Sequence, residues 1–259
     1  MKVFKLCFLF IILTFSNTLK AQYLNLYGGV KSPDYKSSNI QLSYRDESPA
    51  PDVFNSNKNI NNELFYSFGI SYDNFSHDKE IYANIIGNLY VGELFGVNLG
   101  LTIGYPFYVN RKKNISFLPA LTAGIAYTNK DMGQLVNTTG YIQVNNTKFA
   151  TGQNVDVSLA KTDFILRPNL SILFDVSPKI QLRLIGNYLF DINIKQFIDF
   201  QGKDNGGKYV SDNEEANASN ISYYVNGSIS EEIPFSIRGF ELDLGIAVNL
   251  GTNEKGNKK

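Results

Sequence analysis

The sequence predicts an all-β chain folded as a transmembrane antiparallel up-and-down β-barrel of 8–10 strands. Three observations carry this. From Phe95 to Phe107 every second residue is large and apolar: Phe95, Val97, Leu99, Leu101, Ile103, Tyr105 and Phe107. The residues between, Gly96, Asn98, Gly100, Thr102 and Gly104, are small or polar. A period of two held for about thirteen residues reads as a strand with one apolar and one polar face. Strands of soluble sheets run about five or six residues, whereas a tilted bilayer crossing takes about 9–11. Second, the pattern recurs along the chain, as expected when one face meets lipid and the other fills a lumen. Third, no segment of about twelve or more residues shows a helical period, and no apolar run long enough for a membrane helix, about 18 residues, follows the N-terminal segment.

That N-terminal segment has the plan of a secretory signal peptide. Lys2 and Lys5 supply positive charge, Leu6 to Phe15 is apolar and too short to span a bilayer as a helix, and Leu19-Lys20-Ala21 offers a cleavage site. The predicted division is a signal peptide at 1–21, a barrel at 22–250 and a polar tail at 251–259. Cleavage removes Lys2, Lys5 and Lys20 and leaves 21 basic residues against 24 acidic, a net charge near −3. Such a chain has no basic field for nucleic acid. The single cysteine, Cys7, leaves with the signal peptide, so no disulfide is expected.

The strands follow in order. Tyr23 to Val30 places Leu24 and Leu26 on one face and Asn25 and Tyr27 on the other. Residues 31–62 are polar, with one alternating island from Ile40 to Arg45. Leu64, Tyr66, Phe68, Ile70 and Tyr72 mark the next strand. After a turn at Asn74 to Asp78, Ile81, Ala83, Ile85, Gly87 and Leu89 mark another. The Phe95–Phe107 strand follows a break at Gly92-Glu93. Ile115 to Tyr127 comes after a charged turn at Asn110 to Asn114, with Leu118 an apolar exception on its polar face. Residues 129–160 read as a long polar segment with weak strand character at Tyr141–Val144 and Val155–Leu159. Phe164 to Phe174 and Ile180 to Ile192 flank the tight turn Ser177-Pro178-Lys179. Residues 201–218 read as a Gly- and acid-rich loop. Ile221 to Ile229 and Leu242 to Leu250 complete the set. Pro106 and Pro168 fall inside predicted strands, where each removes a ladder donor. The total is nine, and a bacterial barrel needs an even number. Either the Ile40–Arg45 island is a tenth strand or one of the nine is not a barrel strand.

With the signal peptide ending Leu19-Lys20-Ala21-Gln22, the repeated alternation and the last strand Glu241 to Leu250, the chain resembles the small outer-membrane β-barrel proteins of Gram-negative bacteria. The resemblance covers nearly all of 22–250 and is one of pattern. It implies location in the cell outer membrane and contact with outer-membrane lipid. It departs from the usual pattern at the C-terminus, where the last strand ends on Leu250 rather than an aromatic residue. Lipid-modifying enzymes share this architecture and need a histidine beside a serine. The chain has one histidine, His77, in the turn Ser76-His77-Asp78. These neighbours point apart in extended backbone, so no catalytic residue is assigned. One histidine and, after cleavage, no cysteine give no zinc site, and Gly202 to Lys208 lacks the spacing of a phosphate-binding loop. Asp204, Asp212, Glu214 and Glu215 read as a solvated acidic loop in preference to a cation site. No cofactor is expected.

One constellation remains. By alternation, Asp163, Arg167 and Asp175 point into the lumen from one strand, Arg183 and Asp191 from its neighbour, and Glu241 and Asp243 from the last. Buried charges must be paired, and an eight-stranded barrel is just filled by side chains. The cluster is expected to be an ion-pair plug, or alternatively a selectivity constriction. The leading functional expectation is a non-enzymatic outer-membrane barrel with a structural or binding role, meeting an extracellular partner through loops 31–62 and 129–160. These are long for connections without a task. The alternative is a narrow porin-like channel for ions or small solutes, and the third class is an envelope lipid-modifying enzyme.

Overall fold

The computed structural model describes residues 19–45, 53–76, 81–109, 114–140, 142–145, 147–215, 221–230 and 232–250. Residues 1–18 of the predicted signal peptide 1–21, His77 and the polar tail from residue 251 lie outside the described residues. The chain is all-β. Its strands are β1 (Leu19–Pro33), β2 (Ser38–Arg45), β3 (Val53–Ile60), β4 (Phe65–Ser76), β5 (Tyr82–Val91), β6 (Phe95–Gly104), β7 (Phe107–Tyr108) and β8 (Ile115–Val136). There follow β9 (Gln143–Val144), β10 (Thr147–Lys148), β11 (Asn154–Ser177), β12 (Ile180–Lys203), β13 (Tyr209–Glu215), β14 (Ile221–Val225), β15 (Ser228–Ile229) and β16 (Gly239–Asn249).

Antiparallel pairings run β1–β4, β4–β5, β5–β6, β6–β8, β8–β11, β11–β12, β12–β16 and β16–β1, so the series of eight long strands returns to its start. At one end, here the terminal end, Tyr23 lies opposite Asn249 and the turn after Ser177 leads into Ile180. Leu250 donates its backbone N–H to Gln22 at 2.8 Å there. At the other, the cap end, β8, β11 and β12, which are 22 to 24 residues long, run on where their neighbours stop.

The period of two sorts the side chains as the sequence predicts. Leu26, Phe68, Ile70, Leu99, Ile103, Leu121, Ile125, Leu170, Leu244 and Ile246 are exposed on the outside. Asn25, Ser71, Asn84, Asn98, Thr102, Thr122 and Asp243 are buried inside. Leu101 is half-exposed and Thr102 is buried, its hydroxyl 2.8 Å from that of Thr122. Leu118 breaks the alternation because it belongs to an internal apolar layer. With Tyr23, Phe75, Tyr82, Leu173 and Ala247 it closes the interior at the terminal end, where Tyr23 meets Phe75 edge-on at 5.7 Å.

The cap end departs from the expected loops. β2, β3, β14 and β15 form a separate four-stranded sheet in the order β15-β14-β2-β3. The strand predicted at Ile221–Ile229 is therefore not one of the long paired series; it turns at Asn226-Gly227, both in left-handed backbone, and pairs with the Ile40–Arg45 island instead. Among the described residues that series numbers eight, an even count. The segment 129–160 is mostly strand, since β8 continues to Val136 and β11 begins at Asn154. Of the predicted loop 201–218, residues 201–215 form a hairpin of β12 and β13, and 216–218 lie outside the described residues. One apolar core explains all three corrections. Ile40, Leu42, Tyr44 and Phe54 from the small sheet share it with Met132, Leu135, Val155, Val157, Leu159, Ile198 and Phe200 from the extended strands. These residues alternate with polar ones, and that dilutes their apolar signal.

The two prolines act as expected. β6 stops at Gly104, before Pro106, so the predicted strand is shorter at its end. Pro168 lies where the pairing between β11 and β12 is interrupted, between Leu166↔Phe190 and Asn169↔Asn187.

Residues 232–238 connect the cap to β16 and turn inward. Ile233, Phe235 and Ile237 are all buried, and Ile237 joins Tyr90, Ala126, Ile165 and Leu189 in a second internal apolar layer. Gly96 faces Ile237, whose methyl carbon Cγ2 would lie 2.8 Å from a Cβ there. Gly239 makes the sharp entry into β16 at φ 142°, where any side chain would run into the Ser32 carbonyl.

Candidate functional site

Between the two apolar layers lies a polar interior, and the eight long strands supply its groups. β1 brings Asn25, Tyr27 and Lys31. β4 brings Ser67, Ser71 and Asp73, while β5 and β6 bring Asn84, Asn88, Tyr90 and Asn98. β8 brings Thr122, β11 and β12 bring Arg167, Arg183 and Asn187, and β16 brings Glu241 and Asp243. All lie on the inward face because each strand keeps its alternation through this stretch.

The charges fall into three sets. Arg183 pairs with Asp73 by a hydrogen bond from Nη1. Its Nε donates to Gln181 Oε1 at 2.8 Å, and Gln181 Nε2 donates to Asp175 at 2.7 Å. Ser71 donates to Asp73 at 2.6 Å. In the second set, Glu241 faces Lys31 at 3.4 Å and Arg167 at 3.9 Å, and accepts from the Tyr90 hydroxyl at 3.1 Å. Asp243 accepts from Ser67 at 2.5 Å and from Asn187 at 3.5 Å. A chain of amides ties Tyr90 to Tyr27: Asn98 Nδ2 donates to the Tyr90 hydroxyl at 2.9 Å, Asn88 Nδ2 donates to Asn98 Oδ1 at 2.9 Å, and the Tyr27 hydroxyl donates to Asn88 Oδ1. In the third set, Lys161 lies 3.2 Å from both Asp163 and Asp191.

The seven charges picked out by alternation are thus all placed. Asp163, Arg167, Arg183, Glu241 and Asp243 are buried; Asp175 and Asp191 are half-buried. Glu241 lies 3.9 Å from Arg167, and Arg183 pairs with Asp73 of β4. Sequence reasoning missed Lys31, Asp73 and Lys161. All three continue inward rows: Lys31 the row Tyr23, Asn25, Tyr27, and Asp73 the row Ser67, Gly69, Ser71. Lys161 precedes the buried row Asp163, Ile165, Arg167 by one step of two, and the register step at Thr162/Asp163 skips a residue of β12 and leaves the alternation of β11 intact; it lies just outside the strand predicted from Phe164.

Two small cavities lie among the described residues of this interior. A cavity of about 20 Å³ is lined by Arg167, Arg183, Asp243, Asn25, Asn84 and Thr102 among others. Another of about 10 Å³ lies by Tyr23, Phe75, Asp175 and Gln181. Such volumes suit about one water each. Around the first, Arg167 Nε and Arg183 Nη2 are buried donors and Asn25 Oδ1 and Asn84 Oδ1 buried acceptors with no direct protein hydrogen bond. A water both donates and accepts, and so suits all four.

The chemistry of the set is electrostatic. Its serines donate to carboxylates, and no imidazole is within the described interior to act as a base. Among the described residues no group of three His, Cys, Asp or Glu side chains is placed to hold a metal. The acidic residues near 204–215 are engaged locally. Asp204 accepts from the backbone of Gly206 and Lys208, each at 2.9 Å. Burial pushes the Asp212 carboxyl up, but donations from Asn145, Thr147 and the Asn213 backbone outweigh it and hold its pKa below the ordinary value.

No family model matches the chain, and no curated protein matches it. Among solved structures it is similar to Neisserial surface protein A (10% identity, 88% of this chain and 96% of that one, TM-score 0.35). It is similar also to a major outer membrane protein from Thermus thermophilus (9% identity, 88% and 99%, TM-score 0.42). An outer membrane channel from Pseudomonas putida also resembles it (9% identity, 89% and 96%, TM-score 0.24). The chain is a β-rich fold resembling outer-membrane barrel and channel proteins.

Proposed function

We propose that the chain is a non-enzymatic outer-membrane β-barrel, exported by its N-terminal signal and closed to ions in this conformation, with a folded cap directed away from the cell. One observation carries the closed reading. Charges paired across the interior lie between two apolar layers, and the gaps between them have room for about one water each. Ions need a continuous wet path, and none runs through Tyr23, Phe75, Tyr82 and Leu118 at one end and Ile165, Leu189 and Ile237 at the other. The exposed aliphatic and aromatic rows on all eight long strands suit lipid, because a soluble protein rarely exposes so large an apolar surface. Both termini of the barrel lie at one end and the elaborated segments at the other, the usual arrangement of short periplasmic turns and long outer loops.

The second reading is a narrow channel for ions or small solutes. The polar, hydrogen-bonded interior is the observation in its favour, and the resembling structures include one named a channel. It requires that residues 232–238 and the terminal-end layer move aside.

Fractionation tests the membrane part of the proposal. The mature protein is expected in the outer membrane, cut near Ala21, and its folded form should resist SDS until heated and then change mobility. Recovery from the periplasm without detergent contradicts it.

A further inference from the structure

The cap carries a cleft separate from the interior. It opens where the ends of β8, β11 and β12 meet the start of β13, beside the turn at Gly152-Gln153, and has a volume of about 380 Å³. That falls in the range of small-molecule sites, about 300–1,000 Å³. Its lining is planar and polar: Gln134, Gln153, Asn154 and Asp156, with Lys203 and Tyr209.

Three features make this more than a wet sheet face. Gln134, Asn154 and Asp156 are held in one hydrogen-bonded row. Asn154 Nδ2 donates to Gln134 Oε1 at 2.9 Å, and Gln134 Nε2 donates to Asp156 Oδ1 at 2.7 Å. The pairing of β8 with β11 sets this row, placing Gln134 opposite Asp156 and Asn154 opposite Val136. The three polar side chains are therefore oriented before any ligand arrives, which lowers the ordering cost of binding. Next, Tyr209 is 72% exposed, and the Lys203 ammonium lies 5.7 Å from its ring centroid, on one side. A tyrosine that exposed buries little apolar surface and is left as a platform. Last, Gly152 contributes no side chain and stands open, a Cβ there meeting nothing within 4 Å, so backbone lines part of the cleft.

We infer that this cleft binds a neutral glycan. A pyranose ring offers an apolar face for an aromatic platform and vicinal hydroxyls that both donate and accept. The amides of Gln134 and Asn154 and the carboxylate of Asp156 match that mixture; a phosphate or other polyanion would meet Asp156 as well as Lys203. The inference rests on the proposal that the cap faces outward, and names the class of partner it meets.

The test uses the full mature protein in a detergent without a sugar headgroup, with saturation-transfer NMR. The probes are maltotriose, mannotriose and galactotriose, with trigalacturonate as the acidic comparison. At least one neutral trisaccharide should receive saturation. Tyr209→Ala should weaken its binding about three- to tenfold, the worth of one stacked ring, and Tyr209→Phe should retain it. Asp156→Asn should also weaken it while leaving the heat-shifted mobility of the folded protein unchanged. Transfer to none of the three neutral sugars, transfer to trigalacturonate alone, or binding indifferent to Tyr209→Ala overturns the inference. Any of these, in a protein recovered from the outer membrane with its cap accessible to added protease in intact cells, counts against the cleft and leaves the proposed barrel standing. A cap shielded from protease in intact cells counts against the outward orientation instead.

Discussion

Arg183→Ala should lower the stability of the folded protein by about 3–5 kcal/mol, the cost of breaking a buried ion pair from one side. Asp73 is fully buried, with Arg183 its only cationic partner among the described residues. Removing the guanidinium leaves a carboxylate that retains the Ser71 hydroxyl but no opposite charge. It also releases Gln181, which holds Asp175. The measurement is the urea dependence of the heat-modifiable band after refolding into lipid vesicles. A second variant separates charge from volume. Asp73→Asn with Arg183→Gln removes both charges and keeps hydrogen-bonding groups of similar shape, so it should recover most of the loss. If the double variant is as weak as Arg183→Ala, the pair fills space and its charges do not matter.

Phe200→Ala should cost about as much, roughly 3–5 kcal/mol for an aromatic residue deleted from a packed core, but in the cap. Phe200 is fully buried and tilts against Tyr44 at 4.9 Å, joining the extension of β12 to the small sheet. Limited proteolysis reads the effect: new cuts should appear within 38–60 and 209–230 while the eight long strands keep their heat-shifted mobility. Were these segments solvated loops, as their composition suggests, the variant would change neither pattern.

These two residues also mark what the sequence discloses and what it hides. Arg183 is readable because strict alternation over about ten residues fixes which face a side chain takes. The same rule places Leu101 outside and Thr102 inside, and it puts Glu241 and Asp243 in the lumen. It does not say which acid an inward arginine meets, since that depends on the stagger of strands around the interior. Hence alternation does not pair Arg183 with Asp73, 110 positions earlier in the chain. Phe200 is hidden for a different reason. In the cap, apolar residues such as Ile40, Leu42, Phe54, Val155 and Phe200 stand singly among Asn, Ser, Asp and Gly, on strands exposed on their other face. Such segments have low average hydrophobicity, and they become a core only once β2, β3 and β14 meet the ends of β8, β11 and β12. That is a long-range event: the alternation at Ile40–Arg45 and Val155–Leu159 marks strands, and does not say what their apolar faces meet. Leu118 lies between the cases: it is visible as an exception, and its reason, a closing layer with Tyr23, Phe75 and Tyr82, requires the other strands.

The central claim is a barrel whose interior is closed by its own side chains, and single-channel recording in planar bilayers tests it most directly. Purified, folded wild-type protein should insert and stay electrically silent across a voltage range at which a porin in the same membrane conducts. A steady, reproducible single-channel current from the wild-type protein contradicts the closed reading and makes the narrow channel the function.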